Sequence, residues 1–200
     1  MNHVTTQTRT ADAGILASTP ARRALAIAAF VILTAISARL SVPLPGGLVP
    51  ISLQSLVVLL ACMLLGPALG ASAMAAYLAA GAAGLPVFVA GGGIAYLAGP
   101  TGGYLLAFPA AAAITGLLAA RAQNSAARDG AEIARAVGLT LAAVAGTIVV
   151  FLGGWAQLSF FTGATTAFYT GVVPFLLGGV AKIAVAVVVT MRMRRPAGAA

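Results

Sequence analysis

The chain predicts an all-α integral membrane protein of six transmembrane helices, with both termini in the cytoplasm. Composition is the first reason: 61% of its 200 residues are hydrophobic and 7% charged, against about 25% charged in soluble proteins, and mean hydropathy is +1.06. The second reason is where the charge lies. Arg9, Arg22 and Arg23, then Arg121, Arg128 and Arg135, then Arg192, Arg194 and Arg195 sit between long apolar runs. The third is that Arg39 and Lys182 alone enter or border those runs. An ionic group in hydrocarbon costs roughly 2.5–3.5 kcal/mol on insertion scales, so these two exceptions mark where function should be sought.

A span needs about 20 predominantly apolar residues. Taken in order, the candidates are Ala24–Leu40, Ile51–Leu65 closed by Gly66-Pro67, Ala68–Gly84 before Leu85-Pro86, Tyr104–Ala120, Ala136–Ala156 and Val172–Met191. Residues 1–22 read as a polar, disordered cytoplasmic tail without the apolar core of a secretory signal, 23–195 as the membrane domain and 196–200 as a second tail. Six spans place the N-terminus, the 66–67 turn, the 121–135 loop and the C-terminus on one side, together with all nine clustered arginines. Residues 41–50, 85–103 and 157–171 on the other side hold no Lys or Arg. The positive-inside bias makes the arginine side cytoplasmic, in a multi-pass protein of the plasma membrane.

A net charge of +8 does not signal nucleic acid here, because the basic residues are dispersed among apolar spans rather than gathered on a face with interleaved aromatics. They orient the chain and meet anionic lipid head groups. Cys62 is the single cysteine and lies in an apolar run, so neither an intramolecular disulfide nor a metal site is indicated. His3 is in the tail, and the acids are Asp12, Asp129 and Glu132, so no paired groups exist for acid–base catalysis. No Gly-x-x-x-x-Gly-Lys-Ser/Thr occurs, and any coupling to ATP must come from another protein. The chain reads as no enzyme and as needing no cofactor. Small residues four apart (Ala24 and Ala28, Gly66 and Gly70, Ala76, Ala80 and Gly84, Ala142 and Gly146) favour close helix packing. Most such pairs serve the chain's own packing, and one surface is left for a partner, a second copy of the chain among the options.

Two features point to a ligand. Residues 84–104 are rich in glycine, including Gly99, Gly102 and Gly103 around Thr101, and such backbone can approach a ligand closely; a plain external loop is the alternative. Lys182 lies within the last span, where no carboxylate neighbours it. It snorkels, or is neutral, or receives its counter-charge with a ligand, and we expect the carboxylate of a small anionic molecule, with Gly178 and Gly179 leaving room beside it. Gln54, Tyr77, Tyr104, Trp155 and Gln157 are the further polar candidates, Trp155 fitting best in an interfacial aromatic belt.

Several segments resemble the BioY family, the biotin-specific substrate-binding (S) components of energy-coupling factor (ECF) transporters. They are Val42-Pro43…Pro50-Ile51-Ser52-Leu53-Gln54, Leu64-Leu65-Gly66-Pro67-Ala68-Leu69-Gly70, Tyr77…Gly81-Ala82-Ala83-Gly84-Leu85-Pro86-Val87-Phe88, Gly99-Pro100-Thr101-Gly102-Gly103-Tyr104-Leu105 and Pro174-Phe175-Leu176-Leu177-Gly178, which precedes Lys182. The resemblance implies an ECF S-component fold with a biotin pocket open outward. It implies a gate between the first two helices, and dependence on ATPases and on a transmembrane coupling subunit that docks at Ala24 and Ala28. It adds Phe88 to the substrate-binding candidates. The family's last helix commonly reads Gly-Asp-x-x-Lys, whereas here Gly179 stands at the acid position. A self-sufficient secondary transporter of biotin or a related carboxylate is the alternative, opposed by the lack of intramembrane acids or histidine; a non-transport membrane scaffold is the third reading.

Overall fold

The computed structural model describes residues 19–43, 48–129 and 132–194, with the side chains of 126–129 left aside. The expected tails at 1–18 and 196–200, and the centre of the expected gate at 44–47, lie outside these residues.

Helix α1 runs Pro20–Arg39, four residues ahead of the expected start at Ala24. The cause is local. Thr19 Oγ1 accepts from the Arg22 amide at 3.3 Å, and Pro20 follows at the first helical position, where its missing N–H is no loss. Residues 20–22 therefore belong to the helix rather than the tail. The segment after α1 makes an unexpected two-stranded ribbon: β1, Ser41–Val42, pairs antiparallel with β2, Ile51–Ser52. Ile51 is thus strand, and α2 spans Gln54–Leu65.

Gly66 adopts φ 87°, which lets the chain turn sharply into α3, Pro67–Ala82. The expected small-residue packing appears here. A Cβ at Gly70 would stand 2.7 Å from Cys62 Cα, and one at Gly116 would stand 2.5 Å from Pro67 Cα. These glycines therefore let α2 and α3 meet, and bring α6 onto the α2–α3 turn.

A short α4, Ile94–Leu97, precedes α5, Gly102–Leu106, and α6, Phe108–Asp129. The expected fourth span is this α5–α6 pair, interrupted at Ala107. Helix α7, Glu132–Thr162, has 31 residues, about 46 Å at the α-helical rise. It outruns a hydrocarbon core of about 30 Å and carries Gln157 beyond the expected end at Ala156. The outer segment 157–171, expected as a connection, is therefore the end of α7 followed by α8, Ala164–Gly171. Helix α9 is Phe175–Met193.

Among the described residues, four stretches are long and apolar enough to cross a membrane: Pro20–Arg39, Gly102–Ser125, Glu132–Thr162 and Phe175–Met193; α2 and α3 are shorter apolar helices. The core is built of Ala, Met and aromatic side chains such as Met63, Met74, Tyr77 and Phe88. Large apolar side chains also point outward, among them Leu25, Leu177 and Phe160. That arrangement suits lipid as solvent, where packing rather than water avoidance holds helices together. In α1 the buried hydroxyls turn back onto their own helix, Thr34 to the Phe30 carbonyl at 2.6 Å and Ser37 to the Thr34 carbonyl at 2.7 Å. This satisfies them where water is absent.

Candidate ligand-binding site

One cavity of about 90 Å³ lies among α2, α5, α6, α7 and α9. Each helix contributes a stripe at helical spacing: Ser55, Val58 and Leu59 from α2; Thr147, Val150 and Phe151 from α7; Phe175, Gly179 and Lys182 from α9. Thr101, Tyr104, Leu105, Phe108 and Ala111 make a fourth stripe from the residue before α5 into α6. The walls are mostly apolar with a few convergent polar groups, the make-up of a small-molecule site.

Lys182 is the eighth residue of α9, so it lies nearer the glycine-rich end than a helix starting at Val172 would put it. Its ammonium donates to Ser55 Oγ at 3.0 Å. No Asp or Glu belongs to α1–α5, α8 or α9, so the cation faces a hydroxyl instead of an anion. At Gly179 a Cβ would meet Phe151 and Thr147 at 3.9 Å, ordinary contact distance, so its missing side chain leaves usable space beside the lysine.

Gln54 is buried and lines the cavity. Its Nε2 donates to Tyr77 Oη at 2.6 Å, and Tyr77 Oη donates to the Val87 carbonyl at 2.9 Å. Ser52 Oγ donates to Gln54 Oε1 at 3.1 Å. The amide is satisfied, as burial demands.

Of the substrate-binding candidates, the cavity gathers Lys182, Gln54, Thr101, Tyr104 and Gly179. The others stand elsewhere for identifiable reasons. Tyr77 lies behind Gln54, and Phe88 is wholly buried in the notch at Gly81, where a Cβ would overlap its ring. Gly102 and Gly103 are tight packing positions, the space of their missing side chains taken by the Leu97 and Gly153 carbonyls. Gly99 takes a hydrogen bond on its carbonyl from Gln157 Nε2 at 2.6 Å, and the same nitrogen donates to the Leu97 carbonyl at 2.8 Å. The glycine-rich run is therefore clamped to α7 rather than loose, and touches the cavity through Val89, Tyr96, Thr101 and Tyr104 rather than through its glycines. Gly178 faces open space, where a methyl group would meet nothing within 4 Å. Tyr104 lines the cavity while its hydroxyl donates to the Gly171 carbonyl at 2.8 Å. Trp155 donates from Nε1 to the Ala164 carbonyl at 3.0 Å and stays outside the cavity. Ala24 and Ala28 are exposed on α1.

Ser55, Tyr96, Thr147 and Phe175 line the cavity without having been singled out by sequence. Ser55 had a signal, since it adjoins Gln54 and shares a helical face with Val58 and Leu59. Phe175 had one in the Pro174–Gly178 segment that resembles the family, whereas Thr147, an ordinary residue of an apolar helix, had none.

The chain matches the BioY family over residues 6–199. It is 38% identical over 169 residues to the "Probable biotin transporter BioY" of Pyrococcus horikoshii, covering 84% of this chain and 93% of that one. It is 34% identical to the "Biotin transporter BioY" of Thermotoga maritima, covering 83% and 92%. A solved structure, the S-component for biotin from an ECF-type ABC transporter, superposes with a TM-score of 0.72 at 28% identity, covering 91% of this chain and 97% of that one. With its apolar helices, the chain is a multi-pass membrane protein of ECF S-component fold. A match that runs almost end to end, with relatives of similar length, makes this chain a member of the BioY family.

Proposed function

We propose that the chain binds biotin in the α2–α9 cavity and delivers it inward as the S component of an ECF-type importer. It does so with a separate transmembrane coupling subunit and ATPases. It acts as a transport protein without chemistry of its own, with six spans, α2 and α3 completing the four long ones, and cytoplasmic termini. The exposed Ala24 and Ala28 on α1 suit close approach by the coupling subunit.

One observation carries the reading: Lys182 projects an ammonium into a mostly apolar cavity, where it meets Ser55 and no acid. A half-buried cation lacking an anion favours a ligand that brings one, and the carboxylate of biotin meets that need. The aliphatic and aromatic walls suit its valeryl chain and fused rings. The strand pair β1–β2 lies beside Gln54 and supplies Ser52 to the wall, which suits a gate over the cavity.

Titration of the detergent-purified chain tests this. Biotin should bind with one-to-one stoichiometry and raise the unfolding temperature, because a ligand that favours the folded state stabilises it. Desthiobiotin should bind more weakly and lipoate, which lacks the ureido group, weaker still. Heat and unfolding temperature unaltered by biotin would refute the reading.

A further inference from the structure

Tyr77 is fully buried and forms no part of the cavity wall, yet it decides what the wall presents. A phenol has one proton to give, and here it goes to the Val87 carbonyl, a group that can only accept. Tyr77 Oη therefore meets Gln54 as an acceptor, and the atom facing it must be the amide nitrogen. A turned amide would bring two oxygens together with no proton between them. Gln54 Oε1 is left at the other end, where Ser52 donates to one lone pair and the second is free for a ligand. Ser52 lines the cavity and Tyr77 does not, so the oxygen is the cavity end of the amide.

The geometry points to Tyr77 as a positioning residue: it locks the Gln54 amide so that the cavity offers an acceptor, and thereby selects ligands that carry an N–H. The inference rests on the cavity being the biotin site, where that N–H belongs to the ureido ring. The relay is held from behind. Phe88, next to Val87, fills the notch at Gly81 and packs edge-on against Tyr77 with ring centres 5.5 Å apart. Arg39 Nη2 donates to the adjoining Pro86 carbonyl at 2.5 Å. Both contacts hold the segment that carries the Val87 carbonyl.

The experiment compares biotin with a cyclic carbamate analogue, in which a ring oxygen replaces one ureido N–H, on the purified full chain and on Tyr77→Phe. The unaltered chain should bind the carbamate about 10- to 100-fold more weakly, because a buried acceptor then faces an oxygen. In Tyr77→Phe the freed amide can turn its N–H₂ to the ring oxygen, and the preference should fall to within about threefold. Adding Gln54→Met to Tyr77→Phe should change the preference no further, as expected of two residues acting through one contact. Full preference surviving in Tyr77→Phe overturns the inference. Failure of the unaltered chain to bind biotin instead overturns the functional reading beneath it. Should Tyr77→Phe not fold, hydrogen exchange of the Gln54 side-chain amide in the unaltered, unliganded chain decides. Slow exchange supports the lock, and exchange as fast as a solvent-exposed glutamine overturns it.

Discussion

At one end of the helix bundle, arginines reach to carbonyls that the helices leave unpaired. Arg194 donates through Nη2 to the Leu64 carbonyl at the close of α2, at 2.5 Å, and through Nη1 to Gln123 Oε1 at 2.8 Å. Arg135, itself buried, donates to the Arg194 carbonyl just past α9, at 2.6 Å. At the other end the corresponding work falls mainly to neutral donors: Gln157 to Leu97 and Gly99, Tyr104 to Gly171, Trp155 to Ala164. Gly99 lies between α4 and α5 and Ala164 opens α8, whereas Leu64, Leu97 and Gly171 close α2, α4 and α8, where the last carbonyls have no intrahelical partner. Positive charge there also matches the helix dipole. The contrast teaches why the cavity lies where it does. Guanidinium ties concentrate charge, and a cavity among them would offer an anion several competing cations. Neutral ties leave Lys182 as the cation that faces the cavity.

The comparison is broken most directly at Lys182. Lys182→Ala should weaken biotin binding about 10- to 150-fold, since a hydrogen-bonded charge pair contributes roughly 1.5–3 kcal/mol. Its unfolding temperature without ligand should hold or rise, because an uncompensated, half-buried cation has been removed. Lys182→Arg should recover only part of the affinity, the planar fork being a poor copy of a compact ammonium. Calorimetry on the three chains reads both effects.

A smaller loss is expected from the neutral ties. In Gly103→Ala the new methyl group would overlap the Gly153 carbonyl and prise α5 from α7. Overpacking of this kind costs roughly 1–3 kcal/mol, so both unfolding temperature and affinity should fall, the affinity by about tenfold. Unchanged affinity would show that the clamp and the cavity are independent.

The smallest effect on binding belongs to the arginine end. Arg194→Met should lower stability by about 1–3 kcal/mol, because the Leu64 carbonyl loses its donor. Biotin affinity should stay within about twofold, as sites without shared partners act independently. A large loss of affinity here would mean the two ends are coupled, and the comparison would need recasting.

Much of this arrangement was legible in the chain. The placement of charge located the apolar helices, and the two cations outside the pattern proved to be a cavity group and a tie to the Pro86 carbonyl. Gln54 and Tyr104 were readable because polar atoms in an apolar run must be satisfied somewhere. The strands β1 and β2 were not, since two residues carry no periodicity. Tyr77, Phe88 and the glycines at 99, 102, 103 and 178 stand outside the cavity wall, which the sequence could not show, for a common reason. A motif shows that positions matter together, but a side chain that supports a wall and one that forms it look alike until helices are packed. Gly102 and Gly103 are spare of bulk to admit neighbouring backbone, a demand indistinguishable in sequence from admitting a ligand.

The burial of Cys62 beneath Gly70 has a practical corollary. A thiol with no accessible surface reacts slowly with alkylating reagents, so the natural chain already behaves as a near-silent background for site-directed labelling. Spin labels or fluorophores attached to cysteines introduced at Val42 and Pro86 would report the separation of the ribbon from its neighbouring loop as vitamin is added, with no native cysteine to be engineered away.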